Sequence, residues 1–86
     1  MKPIQARAAR YGLRLTAKDV AAVAGVSDFT VKRFEGGSPA LQNTVEALRE
    51  FYKSRGVRFI EDDPAVGVMF NEPDKPVSLA KAKAAK

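Results

Sequence analysis

The stretch Leu15-Thr16-Ala17-Lys18-Asp19-Val20-Ala21-Ala22-Val23-Ala24-Gly25-Val26-Ser27-Asp28-Phe29-Thr30-Val31-Lys32-Arg33-Phe34-Glu35-Gly36-Gly37 decides how this chain reads. Thr16 can cap a helix over Ala17–Ala24, in which Val20, Ala21, Val23 and Ala24 recur at helical spacing and are expected inward. Lys18 and Asp19 then point outward. Gly25 ends that helix, because glycine adopts the left-handed conformation of a tight turn without strain. Ser27 can cap the next helix over Asp28–Glu35, with Val31 and Phe34 facing in and Asp28, Phe29, Lys32 and Arg33 facing out. Gly36-Gly37 stops it. Ala21 is small where the two helices cross, and Val26, Val31 and Phe34 supply apolar contacts that fix the angle between them.

Upstream, Pro3 suits the first turn of a helix over residues 3–11, with Gly12 as its left-handed cap and Ile4, Ala8 and Tyr11 on its apolar face. Downstream, Leu41, Val45, Leu48, Phe51 and Tyr52 form one helical stripe. Its start has two readings, Ser38-Pro39 as cap and first turn or Asn43 with Glu46 as a capping box; residues 44–55 are helical in both, with Gly56 as cap. Val57-Arg58-Phe59-Ile60 and Val66-Gly67-Val68-Met69-Phe70, separated by Glu61-Asp62-Asp63-Pro64-Ala65, read as a β-hairpin. An isolated hairpin is marginal in water, so it packs on the helices or pairs with another chain.

The chain has 86 residues, 15 Lys or Arg against 10 Asp or Glu, a net charge of +5, and no His, Cys or Trp. Thiol nucleophiles, imidazole bases, disulfides and the commonest zinc ligands are therefore excluded, and no metal, cofactor or catalytic residue is expected. Residues 1–58 carry 11 basic and 5 acidic side chains, residues 59–76 carry 1 and 5, and residues 77–86 carry 3 and none. The last segment holds few large apolar groups and reads as a disordered basic tail. The reading divides the chain into a helical domain at 1–56, a strand or dimerisation element at 57–72 and the tail at 73–86. No apolar run is long enough for a membrane span, and the start does not look like a signal-peptide core, so a cytoplasmic, nucleoid-associated location is expected.

Residues 3–56 resemble the lambda-repressor and Cro-like helix-turn-helix family, also called the xenobiotic-response-element family. The likeness is carried by Leu15-Thr16-Ala17-Lys18-Asp19-Val20-Ala21, by Ala24-Gly25-Val26-Ser27 and by Arg33-Phe34-Glu35-Gly36-Gly37. Gly56-Val57-Arg58-Phe59-Ile60 resembles a bacterial and phage-like subgroup in which a strand replaces the fifth helix. The resemblance implies a mainly α fold, a four-helix DNA-binding domain followed by a short β-hairpin or dimerising strands. It also implies a sequence-specific transcriptional regulator, acting as a homodimer with the third helix in the major groove of double-stranded DNA.

Transferred by position, the family's base-reading sites fall on Asp28, Phe29 and Arg33, with Lys32 beside them. Arg33 can grip guanine O6 and N7, Phe29 can touch a thymine methyl, and Asp28 can accept from a cytosine amino group. Other readings stay open: Asp28 as a first-turn carboxylate favoured by the helix dipole, Phe29 as core between the second and third helices, Lys32 on phosphate. Arg10 and Glu35 match a family ion pair between the first and third helices; Arg10 as a solvated charge or phosphate contact is the alternative. The family's glutamine at the start of the second helix is replaced by Ala17, and residues 38–43 hold no Lys or Arg. Phosphate contacts are then expected from Arg14, Lys18, Thr30, Ser38, Gln42, Asn43 and Thr44. Phe59, Ile60, Val68 and Phe70 are the candidate dimer contacts, with a hairpin folded onto its own domain as the alternative. A competing function is a protein-interaction module, an antitoxin or polymerase-docking cofactor, that turns the same surface to a toxin, sigma factor or RNA polymerase subunit.

Overall fold

Thr16 and Ser27 fix the starts of two helices. The Thr16 hydroxyl accepts from the Asp19 N–H at 3.0 Å while the Asp19 carboxylate accepts from the Thr16 N–H at 2.9 Å, and the Ser27 hydroxyl accepts from the Thr30 N–H at 3.1 Å. These caps satisfy amides that the first turn leaves open. In the computed structural model, which describes residues 1–72, the helices are α1 (Pro3–Gly12), α2 (Ala17–Ala24), α3 (Asp28–Glu35) and α4 (Gln42–Ser54). Two antiparallel strands follow, β1 (Val57–Asp62) and β2 (Ala65–Phe70), with Phe59 opposite Val68 and Asp62 opposite Ala65. The chain is thus mainly helical, with a two-stranded sheet after four helices. The tail expected at 73–86 lies outside the described residues.

Gly25 stands between α2 and α3 at φ 71°, the left-handed turn expected of it, and the Val26 N–H returns to the Ala21 carbonyl at 3.1 Å. Ala17, Ala21 and Val31 form a small core there with Val26 against it. The main core gathers Ala6, Ala9, Val20, Phe34, Leu48, Tyr52 and Val57. The hairpin is folded onto its own domain: α1 packs on β2, α4 packs on β1, and Phe59 and Val68 lie half-buried against the main core.

Several expectations are corrected. Ile4, Ala8 and Tyr11 do not face the core; they are exposed, and α1 buries Gln5, Ala6, Ala9 and Arg10 instead. Two alanines allow close approach of the neighbouring helices, and the polar Gln5 and Arg10 can be buried because each is hydrogen-bonded. Gln5 donates to the Ile60 and Gly67 carbonyls at 3.0 Å each and accepts from the Lys2 N–H at 2.8 Å. The helix continues through Gly12, and the left-handed residue is Arg14 at φ 60°. Val23 is half exposed, and Leu41 is 73 % exposed because it is the residue before the first turn of α4, not part of its buried stripe. That helix begins at Gln42, between the two expected starts, with no side-chain cap. The strands reach further into the turn than expected, β1 by two residues through Asp62 and β2 by one from Ala65.

Candidate nucleic-acid interface

One side of α3 is held and the other is open. Val31, Phe34 and Glu35 are buried, whereas Asp28, Phe29, Lys32 and Arg33 are all exposed. Positions 28, 29, 32 and 33 are spaced so that their side chains share a helical face. Phe29 is 65 % exposed, so it does not fill the core between α2 and α3. The guanidinium carbon of Arg33, itself exposed, lies 5.5 Å from its ring centroid, a cation–π contact. The Asp28 carboxylate accepts from the Phe29 N–H at 3.0 Å, which makes it part of the helix start as well as of the face.

The orientation of that face is set from behind by Arg10 and Glu35. Arg10 Nε donates to Glu35 Oε2 at 2.7 Å and Nη2 to Oε1 at 2.8 Å, a two-pronged pair buried between α1 and α3. A third donor, Nη1, reaches the Leu15 carbonyl at 3.2 Å, so one guanidinium ties α1, the following loop and the end of α3 together. The Glu35 carboxylate raises the Arg10 pKa above its usual value, and the ion pair stays charged. Tyr52 is enclosed close by, and its hydroxyl has no hydrogen-bond partner among the described residues. Burial, then the Glu35 charge, pushes its phenol up to about 12.

The residues expected on phosphate are dispersed around this core. Arg14 and Lys18 are exposed, one in the loop before α2 and one on α2. Thr30 is half-buried, its hydroxyl 3.0 Å from that of Ser27, and Ser38 is half-buried with its N–H donating to the Arg33 carbonyl at 2.9 Å. Gln42 and Asn43 are exposed at the uncapped start of α4, the former donating to Glu46 at 3.0 Å. Asn43 also lines a shallow recess with Gly25, Val26 and Leu41, which places it beside the α2–α3 turn. Thr44 is largely buried, at 8 % exposure, and lines the same recess. Of the four residues expected at a dimer contact, Phe59 and Val68 pack on the chain's own core, and Ile60 is half-buried with its carbonyl held by Gln5. Phe70 is 42 % exposed, with its ring over Gly12.

Gln5 and Tyr52 were not legible as contributors. A glutamine in an amphipathic helix carries no signal that a sheet carbonyl awaits it, and Tyr52 sits in the apolar stripe like any core aromatic. Among the described residues no helix is long and apolar enough to cross a membrane. No family model and no curated protein matches the chain.

Proposed function

We propose that the chain binds duplex DNA sequence-specifically as a transcriptional regulator, two copies acting on a two-fold symmetric site with α3 of each in the major groove. The observation that carries this reading is the open face of α3, where an arginine, a lysine, an aspartate and an aromatic ring stand together on a helix anchored from behind by a buried ion pair. Arg33 supplies the forked donor that matches guanine, Phe29 an apolar group for a thymine methyl, and Asp28 an acceptor for a cytosine amino group. Stacking on Phe29 limits the freedom of Arg33 before binding, which lowers the ordering cost at the contact. The exposed side chains of Gln42 and Asn43 suit phosphate, and Arg14 and Lys18 add exposed positive charge elsewhere on the helical part.

The test is selection from a random duplex pool followed by Arg33→Ala. The selected site is expected to contain two inverted half-sites, and the variant to lose about 1–3 kcal/mol of discrimination at one base pair of each while its helical signal is unchanged. A variant with the parent's affinity and base preference removes Arg33 from the reading set. A second reading has its own support: Phe29, Val23 and Leu41 are exposed at 65 %, 50 % and 73 %, an apolar content suited to docking a protein such as a polymerase subunit or a toxin. Weak, sequence-independent duplex binding together with a co-purifying protein favours that reading over the first.

A further inference from the structure

The Asn71 N–H donates to the Gly56 carbonyl at 2.9 Å, so in the register that sets Phe59 opposite Val68 the hydrogen-bonded pairs are Arg58–Met69, Ile60–Gly67 and Asp62–Ala65. Val57, Phe59 and Glu61 then aim their N–H and C=O groups away from β2, along the outer edge of β1. Among the described residues no other backbone group bonds to the outward groups of Phe59 and Glu61. Beside this edge lies a recess lined by Arg49 and Lys53 of α4 and by Val57, Arg58 and Phe59 of β1. Successive residues of a strand stand on opposite faces of the sheet. Arg58 therefore comes from one face and Val57 and Phe59 from the other, which places the recess along the strand's edge.

Every charged side chain lining the recess is positive. The Arg49 guanidinium carbon lies 5.2 Å from the Phe59 ring centroid, a cation–π contact that steadies the charge against the strand. Neither Arg49 nor Arg58 has an ion-pair partner among the described residues, and Lys53 has only the exposed Glu50 at 3.7 Å, a weak surface pair. We infer that an extended acidic segment of another protein adds to this edge as a third strand. Its backbone pairs with the outward groups of Phe59 and Glu61, and its carboxylates meet Arg49 and Lys53 on one side of the strand and Arg58 on the other. A run of three acidic residues suits this arrangement: the first and third point to one side about 7 Å apart, close to the spacing of Arg49 and Lys53 one turn apart on α4, and the second points to Arg58. Glu61 and Asp62 repel a segment that is acidic throughout, which confines the partner's charge to the part beside residues 57–59. Duplex DNA fits the edge less well, since phosphate oxygens only accept hydrogen bonds and the outward carbonyls need donors. Asp28, Phe29, Lys32 and Arg33 do not line the recess, so the inference goes beyond the DNA reading and each can fail while the other stands.

The test follows the backbone amides of the full chain by NMR, with a synthetic peptide in which a run of three aspartates is flanked by valine and threonine as the probe. In the free chain the Phe59 and Glu61 amides are expected to exchange quickly with solvent; with the peptide they slow, and the shifts gather at Arg49, Lys53 and residues 57–61. Lys53→Glu with Arg58→Glu is expected to weaken binding about tenfold or more by setting like charges together. Circular dichroism of that variant is expected to match the parent, since both positions are exposed. The same peptide with alternate backbone nitrogens methylated is expected to lose binding, because strand addition needs its N–H groups. Binding kept by the methylated peptide shows charge attraction alone and overturns the proposal, as does binding that survives the double reversal or no shift along β1 at about 1 mM peptide, the weak end of ordinary affinities. So do Phe59 and Glu61 amides already slow in the free chain, which means that a second copy or the chain's own C-terminal residues cover the edge. A duplex that shifts these amides in the peptide's place assigns the recess to nucleic acid and overturns it as well.

Discussion

Arg10 illustrates how much one buried side chain can fix and what it costs to disturb. Its pair with Glu35 is desolvated, and the attraction gained is largely offset by the water both groups give up. Removing one partner leaves the other charge buried alone: Arg10→Ala or Glu35→Ala is expected to lose about 3–5 kcal/mol in urea unfolding, and Arg10→Met with Glu35→Leu far less. Equal losses for single and double changes would show that the pair does not act as a unit. Tyr52 beside it makes a pH-dependent contribution. Its folded pKa of about 12 lies above the ordinary phenol value of 10.0, so the fold favours the neutral form. The contribution is therefore complete below about pH 10 and is lost as pH rises toward 12, at about 1.4 kcal/mol per unit. Tyr52→Phe is expected to flatten that alkaline decline and to leave stability at neutral pH unchanged or higher, because it deletes a buried hydroxyl with no partner. The Arg10–Glu35 pair was legible as a resemblance; its enclosure beside Tyr52 was not, since burial is a property of what packs around a residue.

Among the elements, the extents of α1, α2 and α3 were legible almost to the residue, but the buried face of α1 was not. Thr16, Ser27 and Gly25 act through bonds to their own neighbours, so local chemistry fixes where those helices begin and turn. In α1 the apolar pattern pointed the wrong way, because its inner face is made of small and polar residues whose partners lie 25 to 62 positions away. Gly12 carries the same lesson. It reads as a helix stop, yet it is helical, and the Phe70 ring fills the space its Cβ would take. Gly12→Ala is expected to displace that ring, visible as changed aromatic resonances of Phe70. With Phe70→Ala in place the same substitution is expected to stabilise by about 0.5–1 kcal/mol, the ordinary helical preference of alanine over glycine. A gain of that size with Phe70 present would mean that the ring does not depend on the glycine.

On the scale of the whole molecule, the proposed DNA reading rests on the open face of α3. That face carries the polar and aromatic groups that the proposal assigns to bases. The duplex selection bears on it directly. A net charge of +5 concerns it only indirectly, since it favours approach to a polyanion without choosing a sequence. The amino-acid sequence by itself determined the four helices, the turn at Gly25, the stop after α3 and the hairpin, because each depends on capping, chain stiffness and periodicity within a few residues. Only the tertiary structure decided which faces are buried: that α1 turns Gln5 and Arg10 inward and Ile4 and Tyr11 outward, that Thr44 is enclosed, and that Phe59 and Val68 complete their own domain. The physical reason is that burial follows from long-range partners, a carboxylate for a guanidinium or a strand carbonyl for an amide, and no local pattern encodes where those partners will be.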